Sequence, residues 1–280
     1  MTNIIKTIIR IASNPIIDVQ EHYISNNRAN SAGDALEEYI KDSFADSFNL
    51  NNAERVERWN TVFSYLGNQN NPPDIMIRDG DAIETKKVES PGSALALNSS
   101  YPKAKLHSNS PMITNACRES ENWDTKDIIY AVGHVVNKNL KCLWLVYGDC
   151  FSANKEIYER IKNTISDGIN SIPDVEFTET NELGKVNKVD PLGITDLRVR
   201  GMWHIKNPKK IFDYLNLYSS DVTFQLISIM KTEKYNSFPD EDRNNLENLN
   251  IENFSISDEN IKNPNNPANL IDCKVITFRS

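Results

Sequence analysis

Two short apolar runs on either side of Asp79-Gly80 constrain this chain more than any other segment. Asp74 to Arg78 and Asp81 to Val88 carry Ile75, Ile77, Ile83 and Val88. The dipeptide between them is one favoured where a hairpin turn needs positive φ, so the sequence predicts a tight β-hairpin. Successive side chains alternate faces along a strand, which makes Glu84 and Lys86 project together. Asp74 starts the partner strand and can close the same site from the side. Two carboxylates can hold Mg²⁺ while leaving coordination positions to water and phosphate oxygens. A lysine two residues on can position an attacking water, help deprotonate it, or stabilise developing negative charge. Such a set is equipped to hydrolyse a phosphodiester. The alternative is an exposed hairpin face with solvated charges.

Glu84-Thr85-Lys86 is the only Glu-x-Lys in the chain. Asp-x-Lys also occurs at Asp124-Thr125-Lys126 and Asp272-Cys273-Lys274. Asp124 lacks an upstream Pro-Asp strand and reads as a loop ending. The other lies on a strand-like run with Asp258 upstream, but only six residues follow Lys274, too few to complete a core around a central catalytic strand.

At 280 residues the chain can bury a sizeable core, as one large domain or one domain with an elaborated lobe. Cys117, Cys142, Cys150 and Cys273 include no C-x-x-C pair, which points to buried free thiols rather than zinc and fits reduced, cytoplasmic surroundings. The apolar start, Ile4 to Ala12, is interrupted by Lys6 and Arg10 at helical spacing. It is too short to span a bilayer and has no cleavage pattern, so no membrane role is expected. The net charge of −8 argues mildly against a nucleic-acid coat protein. Clustering matters more: Lys185 to Lys210 holds seven Lys or Arg against Asp190 and Asp196, whereas acids dominate Glu233 to Glu259. A basic DNA-facing zone with an acidic remote zone explains both; two solvated surfaces explain them too.

The first seventy residues read as helices. Ser31-x-x-Asp34 resembles a helix start, followed by a buried stripe of Leu36, Ile40, Phe44 and Phe48. Glu37 lies beside that stripe, either as a third carboxylate for the hairpin site or as a surface acid. A second helix is expected over Ala53 to Leu66, leading to a polar turn at Gly67–Asn71. Ser90 to Ser120 is long, polar and without periodicity, usually a functional or disordered segment. Its Asn98, Lys103 and Lys105 suit contacts to phosphates or base edges. Asp127 to Val136 and Leu140 to Tyr147 read as strands, and Asn154 to Ile169 as an amphipathic helix. Ile194 to Lys206 reads as one alternating strand, so Arg198 and Arg200 can enter a groove together as a guanine-reading fork. They can equally be solvated arginines on an edge. Trp203, His204 and Lys206 belong to the same run. His204 is a candidate base, though a polar contact or core role suits it better. Val222 to Met230 and Lys274 to Phe278 look like late strands, and the asparagine-rich run Asn244 to Asn269 like a loop. No P-loop or G-x-G-x-x-G is present, so nucleotide hydrolysis and dinucleotide chemistry have no support. Helix, hairpin, strands, then helix is the order of an α/β core with a mixed sheet.

Pro73-Asp74 with Glu84-x-Lys86 is similar to the signature of PD-(D/E)XK nucleases, the superfamily of most type II restriction endonucleases. Asn27-Arg-Ala-Asn-Ser-Ala-Gly33, Ser93 to Lys103, Leu143 to Asp149 and Arg198 to Trp203 resemble the NgoPII-type restriction enzymes. The likeness extends over most of the chain. It implies a restriction-endonuclease-like α/β core, a central mixed sheet flanked by helices, at about residues 30–170 within one domain of 1–280. DNA-recognition and dimer elaborations would fall at about 90–125 and 180–280. It implies Mg²⁺-dependent cleavage of duplex DNA at GGCC between G and C. Asp74 and Glu84 would be metal ligands, Lys86 the catalytic lysine and Glu37 an auxiliary acid. A homodimer addressing both half-sites of the palindrome is expected, with a companion DNA methyltransferase protecting the host. Arg198, Arg200, Lys103 and Lys105 are the first DNA-contacting candidates, with Asn98 next; Trp203, His204 and Lys206 complete the set. The other readings are a structure-specific repair or recombination nuclease, and a DNA-binding module without turnover.

Overall fold

The computed structural model describes residues 1–25, 32–68 and 71–280. Ser31 and most of the Asn27–Gly33 segment therefore lie outside the described residues, as does part of the expected turn at 67–71. Helices α1 (Ile4–Ser13), α2 (Val19–Ser25), α3 (Ala32–Ala45) and α4 (Asn52–Val62) come first. They are followed by β1 (Phe63–Asn68), β2 (Asn71–Ile77) and β3 (Ala82–Val88). The polar stretch after the hairpin is ordered around the short pieces β4 (Leu95–Ala96), β5 (Lys105–His107) and α5 (Asn115–Arg118). Then come β6 (Thr125–Val136), β7 (Asn139–Tyr147), α6 (Gly148–Phe151) and α7 (Lys155–Asn170). A run of short elements follows: β8 (Glu176–Phe177), β9 (Gly184–Asn187), β10 (Leu197–Val199), β11 (His204–Ile205) and α8 (Pro208–Ile211). The chain closes with β12 (Gln225–Lys231), α9 (Thr232–Asn236), α10 (Asp240–Glu247), β13 (Phe254–Asn263) and β14 (Asn266–Arg279).

A large mixed sheet runs β1-β2-β3-β6-β7-β12-β14-β13, with β5 added alongside β6. The β3/β6 and β7/β12 pairs are parallel and the others antiparallel. This bears out the expected mixed α/β architecture. Strands β6, β7 and β12 are buried almost end to end, as strands covered on both faces must be. Helices α1, α2 and α3 pack on β12, β7 and the β3/β6 pair. The apolar start becomes α1, with Ile4, Ile5, Ile8 and Ile11 in the core. Among the described residues no helix is long and apolar enough to cross a membrane. All four cysteines are buried and free, as expected.

Several sequence expectations are corrected. The second helix stops at Val62, because Phe63 and Tyr65 pair with Ile77 and Met76 and add an edge strand to the hairpin. Its buried side chains are Arg55 and Trp59, while Val56 faces solvent. The asparagine-rich run is a helix and a long hairpin, with Phe254 to Asn263 laddered on β14. Phe254 and Ile256, two apart, were the signal there, with Ile261 out of their phase and polar residues between. Ile157, Ile161 and Ile165 repeat along α7 as expected but stay 40–44% exposed. Ile194 to Lys206 is no single strand: β10 belongs to a small separate sheet with β9 and β8, and β11 pairs with β4. Both Asp-x-Lys decoys are structural. Lys274 pairs with Asp258 across the β13/β14 ladder, and Lys126 pairs with Glu121.

Candidate active site

Strands β2 and β3 pair at Ile75 with Ile83 and at Met76 with Ala82, and the ladder stops there. The turn forms as expected, but its left-handed residue is Asp79 (φ 54°) rather than Gly80. Aspartate is among the residues that tolerate this conformation. One step beyond Ile75 and Ile83 the strands part. There the Asp74 side chain takes over from the ladder: its Oδ2 accepts the Thr85 N–H at 2.6 Å. Asp74 and Glu84 are thereby cross-strand neighbours on one face. Gly67 on β1 makes room for this, since a Cβ there would overlap the Pro73 carbonyl and crowd the Asp74 backbone.

The Lys86 ammonium lies 2.6 Å from Glu84 Oε1 and 3.2 Å from the Thr85 carbonyl. The predicted same-face projection of Glu84 and Lys86 is thus present. The other Glu84 oxygen, Oε2, is buried without a hydrogen-bond partner. Burial, reinforced by the Glu84 charge, pushes the Asp74 carboxyl well above the usual carboxylate range; Lys86 and the Thr85 N–H only partly offset this. For Lys86, burial works against the charge, but Glu84, Asp74 and Glu37 together prevail and hold its pKa above the ordinary lysine value. Lys86 is therefore an ammonium at neutral pH. It can orient a water and stabilise negative charge; it is not set up to accept a proton.

A buried, unpartnered carboxylate oxygen beside a second carboxylate that resists ionisation fits a divalent cation, which would satisfy the first and ionise the second. Glu37, on α3 packed against β3, acts electrostatically on both Asp74 and Lys86, but its carboxylate pairs with Lys41 at 2.8 Å. Among the described residues no three His, Cys, Asp or Glu side chains gather into a ligand group. The two carboxylates placed so that they could hold such an ion are Asp74 and Glu84.

These residues line one narrow cleft with a cavity of about 40 Å³, together with Asn98, Ser100, Tyr101, Lys103 and Tyr130. The structure thus brings Asn98 and Lys103, from the polar stretch, to the hairpin. Lys103 is buried, with its ammonium on the Ser100 hydroxyl and the Tyr101 carbonyl (3.3 Å). Burial lowers its pKa to about 8, against the raising effect of Glu84. Lys105 lies outside this cleft, exposed and paired with Asp127 at 2.6 Å.

Arg198 and Arg200 do converge, but on Glu182: their Nε atoms lie 2.6 and 3.1 Å from its two carboxylate oxygens. Both are exposed. Trp203 has a different task. Its N–H donates to the Asn98 carbonyl and its carbonyl accepts the Leu97 N–H, each at 2.9 Å. Its ring meets Tyr101 and Tyr158 edge-on. The Trp203 segment therefore braces the Asn98–Lys103 wall of the cleft. His204 and Lys206 flank it and are exposed. Sequence reading missed Ser100, Tyr130 and Glu182. Tyr130 reaches the cleft because the parallel β3/β6 register sets it beside Glu84, a long-range pairing with no local signal.

The family model for the NgoPII restriction endonuclease matches residues 2–262. The type II restriction enzyme NgoPII of Neisseria gonorrhoeae is 53% identical over 277 residues, covering 99% of either chain. No solved structure matches. With this likeness spanning nearly its whole length, the chain belongs to the NgoPII restriction endonuclease family.

Proposed function

We propose that this chain is a type II restriction endonuclease of PD-(D/E)XK type, hydrolysing phosphodiester bonds of duplex DNA at GGCC, between G and C, with Mg²⁺. The observation that carries the reading is the meeting of Asp74, Glu84 and Lys86 in one cleft within a chain of this family. Asp74 and Glu84 hold the ion, which when bound lowers the pKa of water and screens phosphate charge. Lys86 orients the water and stabilises charge on the phosphate. Glu37 is the auxiliary acid, adding the smallest share to the Glu84 and Asp74 charges that keep Lys86 protonated. Each subunit carries one such site, so a two-fold homodimer cuts both strands of a palindrome. Arg198, Arg200, Lys105, Asn98, His204 and Lys206 contact the DNA outside the reacting phosphate, the arginines exchanging Glu182 for guanine edges. The test is digestion of a fully sequenced plasmid in Mg²⁺ with mapping of the ends. Discrete fragments ending within GGCC support the reading; cutting at forks or mismatches alone, or binding without cutting, refutes it.

A further inference from the structure

Lys103 is 7% exposed, yet among the described residues no carboxylate pairs with its ammonium. Two nearby lysines behave otherwise: Lys86, in the same cleft, pairs with Glu84, and Lys105, two residues on, pairs with Asp127. A buried charge without a counter-ion is costly and persists where a partner arrives. The Lys103 ammonium has three donors. Two meet neutral oxygens, the Ser100 hydroxyl and the Tyr101 carbonyl, which leaves one donor for an anion.

Its placement is built in. The Lys103 N–H donates to the Tyr130 hydroxyl at 2.7 Å, and Tyr130 stands beside Glu84 in the β3/β6 ladder. Gly148 lets the Lys103 and Ala104 carbonyls pass, because a Cβ there would overlap both. The Tyr101 ring lies 5.3 Å from the ammonium; its hydroxyl donates to Glu159 at 2.8 Å, and the ring stacks on Tyr158. A flexible side chain is thus held in one position, and preorganised charge of this kind is what stabilises a transition state. A side chain sunk in the wall cannot reach to a groove floor to read a base. The phosphate must come to it.

We propose that Lys103 is a second catalytic ammonium, contacting a non-bridging oxygen of the scissile phosphate across the cleft from Asp74, Glu84 and Lys86. This rests on the nuclease reading above. The substitution Lys103→Met keeps length and apolar packing while removing the charge. Single-turnover cleavage in Mg²⁺ should fall roughly a hundredfold to a thousandfold, with cut positions unchanged. Binding to the same duplex in Ca²⁺ should weaken by much less, with a salt slope smaller by about one. On substrates carrying either phosphorothioate diastereomer at the scissile position, the wild type should favour one isomer and K103M should discriminate less. If K103M fails to give a cooperative melt, Lys103→Gln carries the same readouts. Wild-type-like cleavage by K103M beside an inactive K86A overturns this proposal alone. So does relaxed sequence choice, which would make Lys103 a base reader. A wild type that leaves DNA uncut in Mg²⁺ overturns the nuclease reading, and this proposal with it.

Discussion

The Asp74 carboxylate accepts the Thr85 N–H at 2.6 Å at the point where the β2/β3 ladder ends. This one bond converts the mouth of a hairpin into a site. It holds the carboxylate against Glu84, and burial, reinforced by that repulsion, raises the Asp74 pKa.

That strain has a pH signature. A carboxyl whose folded pKa is raised contributes stability that is fully present below its unfolded pKa and is lost as pH rises through the folded value. Metal-free protein should therefore lose stability from the acid range into neutral pH. Asp74→Asn should melt higher than wild type at pH 8 without metal, by roughly 2–4 °C for about 1 kcal/mol. Adding Ca²⁺ should raise the wild-type Tm and leave the variant nearly unchanged. Thermal melts with EDTA or Ca²⁺ at several pH values measure this.

Lys86 is held in its charged form by Glu84, Asp74 and Glu37. In the metal-free protein its ammonium should then stay charged between pH 6 and 9, below the ordinary lysine value of ~10.4, as an NMR titration of the side chain would show. Glu37→Gln, which removes the smallest of the three supporting charges, should retain cleavage and move that metal-free titration to lower pH. A Glu37→Gln enzyme as inactive as Lys86→Ala would instead make Glu37 a ligand.

Glu182 grips both Arg198 and Arg200. If these arginines read guanine, Arg198→Ala and Arg200→Ala should relax choice at one base pair by about 1–3 kcal/mol. A uniform loss of affinity across sequences would make them phosphate contacts. Cleavage of a library of near-cognate duplexes separates the outcomes.

Trp203 ties two distant segments together through the Leu97 and Asn98 backbone and the Tyr101 ring. Trp203→Ala should cost about 1–3 kcal/mol, less than full burial would give. It should also lower kcat, because the Lys103 wall loosens. Trp203→Phe should retain most of both. Melts and single-turnover rates decide it.

Local pattern carried the hairpin, the facing of Glu84 and Lys86, the β6/β7 pair and the buried Leu36, Ile40 and Phe44 of α3, though Phe48 lies past that helix's end and is half-buried. Each depends on residues a few positions apart. The pairing of β11 with β4, the parallel alignment of β3 with β6, and the gathering of Arg198 and Arg200 on Glu182 depend on segments far apart in the chain. The late hairpin was missed because asparagine and aspartate dominate its sequence, yet β13 is an edge strand whose outward side chains are free to be polar. Lys103 stood out in the sequence as a DNA-contacting candidate, but its burial in the cleft with Glu84 was not legible, since that follows from how the 97–105 segment folds over β6.

The most direct measurement is cleavage of supercoiled plasmid in Mg²⁺ by wild type, Asp74→Ala, Glu84→Ala and Lys86→Ala, each shown to be folded by a cooperative melt. The account predicts discrete fragments from the wild type and rates lower by roughly a thousandfold or more in each variant. A folded Lys86→Ala or Asp74→Ala protein that cuts as fast as wild type would contradict it.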